Sequence, residues 1–490
     1  MLMRSDSRRH IWCAAIVGLV LAMGLVGQVR ADVVTYPAPD GAARAADFRV
    51  SVEGQAQFVY DCEIAAFASF SFAQRVHVAV TPERAFSRVD IRPKHQGVTF
   101  AVENGTIRFD LDEPCQLSIE LDGDIERPLL LFANPLEKKV PKPNDKGVHY
   151  FGPGRVHEAG EIMLKSGETL YIAGGAVVRG RVRAEGARNV KVCGRGVLDG
   201  SHRDYKTQML KFSECTNVDL EGTTILNSYG WTVVPVKSDN VRIENVKIVG
   251  WRDNDDGVDI VGCHNLVIVD SFLRTKDDCI AVKASPGYFK GGESGLRNVK
   301  NVAVVNSVLW NAEWGNAMEI GFELQTDSIS DVVFKDCDII HVERGGTFTI
   351  HNGDWATVEN IRFEDIRVED SREKLIEFRI GLSIYSGDCP QEYHRQNPQR
   401  KCSPLGQWMA VADDELEVYA GKRGHIRNIH FKNIEVTGPN PPKSFLIGYD
   451  EGEHSVQNVI IENLRINGVR VENADEANMV IEKTQNVLFK

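Results

Sequence analysis

From Gly152 onward one short theme recurs: an Asn or Asp, then an apolar residue, any residue, and a second apolar residue. Asn189-Val190-Lys191-Val192, Asn217-Val218-Asp219-Leu220, Asn240-Val241-Arg242-Ile243 and Asn265-Leu266-Val267-Ile268 begin the series. Copies starting at Asn301, Asp331, Asn360, Asn428, Asn458 and Asn486 extend it to ten. Alternation with many β-branched residues and no helical stripe predicts strands. All but one of the intervals between copies fall between 23 and 36 residues, which marks a solenoid. A leucine-rich horseshoe shares that period, but its leucine spacing is missing. The expected fold is all-β: a right-handed parallel β-helix over 152–490, whose coils stack apolar side chains inside. The turn Asn is expected to bond neighbouring backbone and to form ladders between coils.

Residues 32–140 lack the theme. Phe48–Val52, Val76–Val80, Thr106–Leu111 and Leu117–Leu121 alternate, with Glu103-Asn104-Gly105 and Asp122-Gly123-Asp124 as turns. Such closely spaced short strands predict a small antiparallel β-sandwich. The Lys- and Pro-rich stretch 141–151 reads as a linker. One interval is out of pattern: Asn360 to Asn428 is 68 residues, so an excursion from the stack is expected there.

Residues 1–31 read as a secretory signal. Arg4, Arg8 and Arg9 precede an uncharged apolar run from Ile11 to Val26, and Val29-Arg30-Ala31 offers a cleavage site before Asp32. The run is short for a span, and no later stretch would cross a bilayer. A secreted protein, extracellular or periplasmic, and a monomer, is expected. Losing four Arg and one Asp takes the net charge from −12 to about −15, which argues against a nucleic-acid partner. Cys13 leaves with the signal, and the nine remaining cysteines cannot all pair. Cys389 with Cys402 is the expected disulfide, and Cys62 with Cys115 a second candidate. Cys193, Cys215, Cys263, Cys279 and Cys337 lie in strand patterns and are expected as buried thiols. With no zinc-type spacing, neither metal nor cofactor is expected.

The chemistry lies in an acid spacing. Asp256, within Asn254-Asp255-Asp256-Gly257-Val258-Asp259, precedes Asp277 and Asp278 by 21 and 22 residues, about one lap of the coil. One lap returns the chain about 4.8 Å away. Asp256, Asp277 and Asp278 should then share one outer face. Adjacent strand residues face opposite sides, so Asp277-Asp278 must lie at a bend for both to avoid the core. Clustered carboxylates raise one another's pKa, as acid/base hydrolysis requires.

Asn227 to Ala284 resembles glycoside hydrolase family 28, the polygalacturonases. Asn227-Ser228, Asn240-Val241-Arg242-Ile243, the Asn254–Asp259 run and Asp277-Asp278-Cys279-Ile280-Ala281-Val282-Lys283 follow that family's order and spacing. Its N-T-D-G stands here as N-D-D-G. The resemblance implies a pectin-lyase-like β-helix and inverting hydrolysis of a polysaccharide or oligosaccharide. It implies Asp277 as general acid, with Asp256 and Asp278 activating water. Two positions depart from the family. Asn316 stands for the expected His of G-H-G, and Thr349-Ile350-His351 stands for R-I-K, whose cations hold a uronate. Arg252, Lys276 or Lys283 would have to compensate. Trp310–Gly321, Val332–His341 and the leading sandwich resemble family 49, the dextranases and isopullulanases, which implies the same three acids and a neutral α-glucan as the alternative substrate. The expected substrate-binding residues are Asn316, His351, Lys283, Trp314, Glu319 and Asn254. Trp231 and Trp251 are candidate stacking platforms and Glu323 a further cleft residue. The competing classes are a Ca²⁺-dependent lyase on the same solenoid and a non-catalytic carbohydrate-binding solenoid.

Overall fold

A computed structural model describes residues 32–202, 206–285, 297–389, 408, 416–438 and 442–490. The expected signal, Cys402 and residues 390–407 and 409–415 of the excursion after Asn360 lie outside these residues. No described helix is long and apolar enough to cross a membrane.

The chain folds as a parallel β-helix behind a β-sandwich. All ten copies of the theme fall on strands of one parallel stack, from Arg188–Gly194 through Asp239–Glu244 and His264–Val269 to Thr484–Phe489. Register is kept from lap to lap: Val190, Val218, Val241, Leu266, Val302 and Val332 lie in one row. A second row runs Val192, Leu220, Ile243, Ile268, Val304, Phe334, Phe363 and Phe431. Where it turns aromatic the rings stack, Phe363 on Phe431 at 4.8 Å between centroids. These rows fill the inside of the coil with buried side chains.

The turn residue is Asn or Asp because the backbone there is left-handed. All ten copies have positive φ, from 54° to 58°. Asn tolerates that region better than other residues with a β-carbon. Its side chain then bonds the equivalent side chain one lap away rather than backbone: Asn217 donates to Asn189 at 2.9 Å, Asn265 to Asn240 at 3.2 Å, Asn301 to Asn265 at 2.8 Å. Asp331 can only accept, and takes a bond from Asn360 at 3.4 Å. A second left-handed file, Asn245, Asp270, Asn306, Asp336, Asp365, Asn433 and Asn463, lies at the next corner and is also laddered in part, Asn306 donating to Asp270 at 2.7 Å.

In the sandwich, Phe48–Val52, Val76–Pro82 and Thr106–Leu111 pair antiparallel, and Cys115–Leu121 forms a hairpin with Asp124–Pro135. The predicted turns Asn104-Gly105 and Asp122-Gly123 have positive φ at both residues, as two-residue hairpins require. The sandwich is not wholly antiparallel: Asp124–Pro135 runs parallel to Ala66–Phe72. The linker is shorter than read, because Val148–Phe151 already pairs with Thr169–Ile172 and Tyr150 stacks on Tyr171. Nor do Cys62 and Cys115 pair. They face different apolar layers, Cys62 the seam with the coil and Cys115 the sandwich interior, and both are buried free thiols. Cys193, Cys215, Cys263, Cys279 and Cys337 are buried free thiols as expected.

Leu129–Ala133 is buried on both faces. Leu129, Leu131 and Ala133 enter the sandwich, while Leu130 and Phe132 meet Phe272 and Trp310 of the coil. A polar clamp closes the same seam. Fully buried Lys247 sets its terminal nitrogen on Asn134 Oδ1 of the sandwich, Asn245 O at 2.7 Å and Asn245 Oδ1 at 2.8 Å. Nearby, buried His341 faces Glu120 of the sandwich at 2.9 Å.

Asn265 bonds on both sides of its ladder. Asn265→Ala is expected to lower unfolding free energy by about 1–3 kcal/mol, through a strained left-handed residue and lost side-chain bonds. Asn265→Gly, which keeps the backbone easy, should lose less. Urea unfolding of both variants measures the difference.

Candidate active site

The acids sit on two stacked turns, with Asn316 on a third, and the three lead into one sheet of the coil, in which Val258–Val261, Ile280–Ala284 and Met318–Leu324 are neighbours. The turns are bonded lap to lap: Gly257 N donates to Asp278 O at 2.8 Å and Cys279 N to Asn316 O at 2.8 Å. Close approach explains two glycines. A β-carbon on Gly257 would lie 2.4 Å from Cys279 O, and one on Gly315, with φ +69°, would lie 2.5 Å from Asp277 Oδ1. Asp277 and Asp278 precede their strand, at the bend the sequence required.

Asp256, Asp277 and Asp278 meet. One oxygen from each lies within 4.8 Å of the others. Asp256 and Asp278 are buried and Asp277 half-buried. Asp278 Oδ1 accepts from the backbone N–H of Asn316 at 2.7 Å and from its side-chain amide at 3.2 Å. Asp277 is held through its backbone: its carbonyl accepts from Thr275 Oγ1 at 2.6 Å and Asn311 Nδ2 at 2.9 Å.

Two further acids support the cluster. Asp255, fully buried, accepts through Oδ1 from the N–H of Lys276 at 2.8 Å and of Asp277 at 3.2 Å, and through Oδ2 from Arg252 N–H at 3.1 Å. Asp259 is also fully buried and shares Lys283 with Asp256: the ammonium stands 3.1 Å from Asp256 and 3.0 Å from Asp259. Singly, each looked like a turn residue. Their position in the repeat, one lap before Lys276-Asp277 and beside Ala281, was the available signal.

Burial raises Asp277 to about 7, helped by the charge of Asp256 and opposed by Lys283. Asp278 is pushed well above the carboxylate range by burial and then by the charges of Asp277 and Asp256. Burial raises Asp256 too, against the pull of Lys283. Burial and Asp256 hold Asp259 high. Burial disfavours the charge on Lys283, but Asp259 and Asp256 outweigh it and keep the ammonium charged. The site therefore retains protons at neutral pH. Three such oxygens would also suit a hard cation, but Lys283 already supplies positive charge there, and Ca²⁺ takes six to eight oxygens.

The expected sugar-binding residues divide. Lys283 lies in the cluster, 4.1 Å from the ring centroid of Trp231. Trp314 is exposed on the rim, with Arg344 over its ring, and Asn254 is exposed and bonded to Lys206. Asn316, Glu319 and His351 are not open to a sugar. The amide of Asn316 is engaged by Asp278 and by Gly346 N–H at 2.9 Å, so it positions an acid instead. Glu319 is fully buried between Thr349 and His351. His351 lies between Glu319 at 2.9 Å and Glu377 at 3.3 Å, under the ring of Phe322 at 4.4 Å. Burial disfavours its charge, but the two glutamates outweigh this and raise its pKa.

Residues 161–377, which hold all these acids, match the model of glycosyl hydrolases family 28. The chain is similar to a probable exopolygalacturonase B of Aspergillus fumigatus, 25% identical over 304 residues, 56% of this chain and 61% of that protein. An exopolygalacturonase of Arabidopsis thaliana is 25% identical over 170 residues, 34% of this chain and 37% of that one. The chain thus spans about three fifths or less of the length of these curated relatives. Dex49A from Penicillium minioluteum shares the fold, with a TM-score of 0.61 at 15% identity, covering 93% of this chain and 96% of that one. The resemblance to family 28 read from the sequence is thereby supported, and the likeness to Dex49A is one of fold.

Gly315→Ala should push the acid turn aside and cut turnover at least tenfold, because misplacement by about 1 Å is costly. Circular dichroism should show the coil intact. Asp277→Asn tests the raised carboxyl. Its folded value of about 7 exceeds the ordinary 3.8, so its stability contribution is full below pH 4 and lost as pH rises through 7. The variant should therefore melt higher than the parent at pH 8, with the gap closing toward pH 4.

Proposed function

Starting from a coil that matches glycosyl hydrolases family 28, we propose that this protein hydrolyses glycosidic bonds of a pectin-type polysaccharide. The observation that carries this is the meeting of Asp256, Asp277 and Asp278 within 4.8 Å. Asp277, raised to about 7, keeps a proton to give the leaving glycosidic oxygen. Asp256 and Asp278 hold one water between them. Its oxygen attacks the anomeric carbon as the bond to the leaving oxygen breaks, and its proton passes to Asp256. Lys283 favours the ionised form of Asp256, and Asn316 fixes Asp278. Asp255 and Gly315 aim Asp277.

Inversion is the expected stereochemistry by family resemblance. The acids stand closer than the roughly 6.5–9.5 Å of two-acid inverting sites. Here two carboxylates share the water, so the third need not stand as far away. The first anomer formed, read by proton NMR, decides, and retention would overturn the single displacement.

Attack at a chain end fits the groove. Two strands beyond that of Asp277, about 10 Å along the axis, Phe322, Tyr385 and Trp408 cluster over His351. These rings pack together beyond the acids, which favours a bounded site over an open one. The relatives' names carry the same mode. A second reading, a neutral α-glucan, is favoured by His351: at the place where the family sets cations for a uronate, this chain has Thr349-Ile350-His351, and His351 is enclosed between two glutamates.

A panel of polygalacturonate, rhamnogalacturonan, dextran and pullulan tests both readings. Monomer release from polygalacturonate is expected, with kcat falling above about pH 7 as Asp277 loses its proton. Asp277→Asn should lower kcat by at least a thousandfold with the fold retained. Turnover of dextran or pullulan alone would replace the pectin reading, and near-normal activity of the variant would refute the site.

A further inference from the structure

Behind the acid turns, where the sandwich edge meets the coil, lies a cavity of about 790 Å³. That is within the range of small-molecule sites, roughly 300–1,000 Å³. Its coil wall includes Trp251, Arg274 and Lys276, and its sandwich wall includes Glu63, Ile64 and Glu126. Lys276 is the residue before Asp277, and Asp255 holds the N–H groups of both, so the cavity and the acid cluster are two sides of one turn. A neighbouring cavity of about 500 Å³ shares Glu63 and reaches Asn227, to which the Trp251 indole donates at 2.9 Å. The seam is therefore hollow alongside several coils.

Arg274 is the unusual group there. It is 5% exposed, yet its Nε has no partner and its Nη1 donates only to Gly250 O at 3.2 Å. Its guanidinium lies 4.6 Å from the Trp310 ring centroid, and it makes no ion pair among the described residues. A buried guanidinium stays charged and retains unused donors, so it calls for oxygen acceptors. Most other charges in the wall are already paired: Lys276 with Glu313 at 3.3 Å, Arg372 with Asp370 at 2.9 Å, and Asp124 with Arg84 at 3.3 Å. Among the described residues Glu63 and Glu126 have no cation partner, and Glu343 accepts from the Trp310 indole at 3.2 Å. What remains is one donor fork, three acceptor carboxylates and the indole of Trp251. The balance is acidic, which repels a polyuronate. It suits a ligand that both donates and accepts through hydroxyls.

We infer that the cavity between Arg274, Trp251 and the sandwich residues Glu63 and Glu126 is a subsite for uncharged sugar residues, such as a neutral branch of the polymer whose backbone lies at the acids. This rests on the pectin-type reading and extends it to the substrate's branches. Trp251 supplies a stacking face, Arg274 donates to sugar oxygens and the glutamates accept from sugar hydroxyls. The sandwich is then part of the binding machinery.

The full chain would be titrated calorimetrically with reduced galactotetraose and, separately, with reduced tetragalacturonate. Saturable binding of the neutral tetrasaccharide is expected. It should weaken at least tenfold in Glu126→Trp, which plugs the cavity from an exposed strand position, and in Arg274→Gln. Glu126→Trp should keep the parent's circular dichroism spectrum, so that a loss of binding is read against an intact fold. Absence of neutral binding in the parent, or parent-like binding in either variant, would overturn the subsite. Binding of tetragalacturonate with the same dependence on Arg274 would overturn its assignment to uncharged sugars. Failure of the parent to cleave polygalacturonate would instead count against the catalytic reading, since the titration does not depend on turnover.

Discussion

Parallel pairing between strands one lap apart governs this molecule. It sets the rows of valine, isoleucine and phenylalanine inside the coil, and the same register carries Asp256 to Asp278 and Gly257 to Cys279. A slip of one residue would turn every core side chain outward. Repetition of buried rows on both sides of the site makes that slip costly. The acids are therefore placed by contacts they do not themselves make.

That rigidity is what allows the fold to carry a locally unfavourable cluster. Asp255, Asp256, Asp259 and Asp278 are all buried, with Asp277 beside them and Lys283 as the cation in their midst. Buried carboxylates favour their protonated forms, and mutual repulsion strengthens the preference. Several N–H groups and one ammonium offset part of the cost. The remainder is carried by the ladders and the apolar stack, a division between stable scaffold and strained site that is common in enzymes.

Much of this was legible in the sequence because a solenoid writes its period into the chain. Asn265 or Asn428 could be placed at a corner from its two apolar followers alone. Asp256, Asp277 and Asp278 followed from counting one lap. The second file of left-handed residues was less visible, since Asn245, Asp270 and Asn306 lack a fixed apolar pattern behind them. Polar roles were harder still. Asn316, Glu319 and His351 look like substrate ligands in a linear motif, but each is engaged by a neighbour from the next lap. Asp255 is the converse: an ordinary Asp in sequence, it is the acceptor that fixes the peptides around Asp277. Cys62 and Cys115 were paired by proximity in the chain, while the two faces of the sandwich sheet point them into separate layers.

The clamp of Lys247 on Asn134 bears on how this architecture can be divided. An amine sealed in that position depends on an acceptor from the other unit. Phe272 and Trp310 likewise share an apolar layer with sandwich side chains such as Phe132. Excising the coil would strip an oily stripe bare and leave that amine without its amide. Gene-level shuffling of these two units, in nature or in the laboratory, is thus restricted to partners that bring both the greasy cover and the Asn.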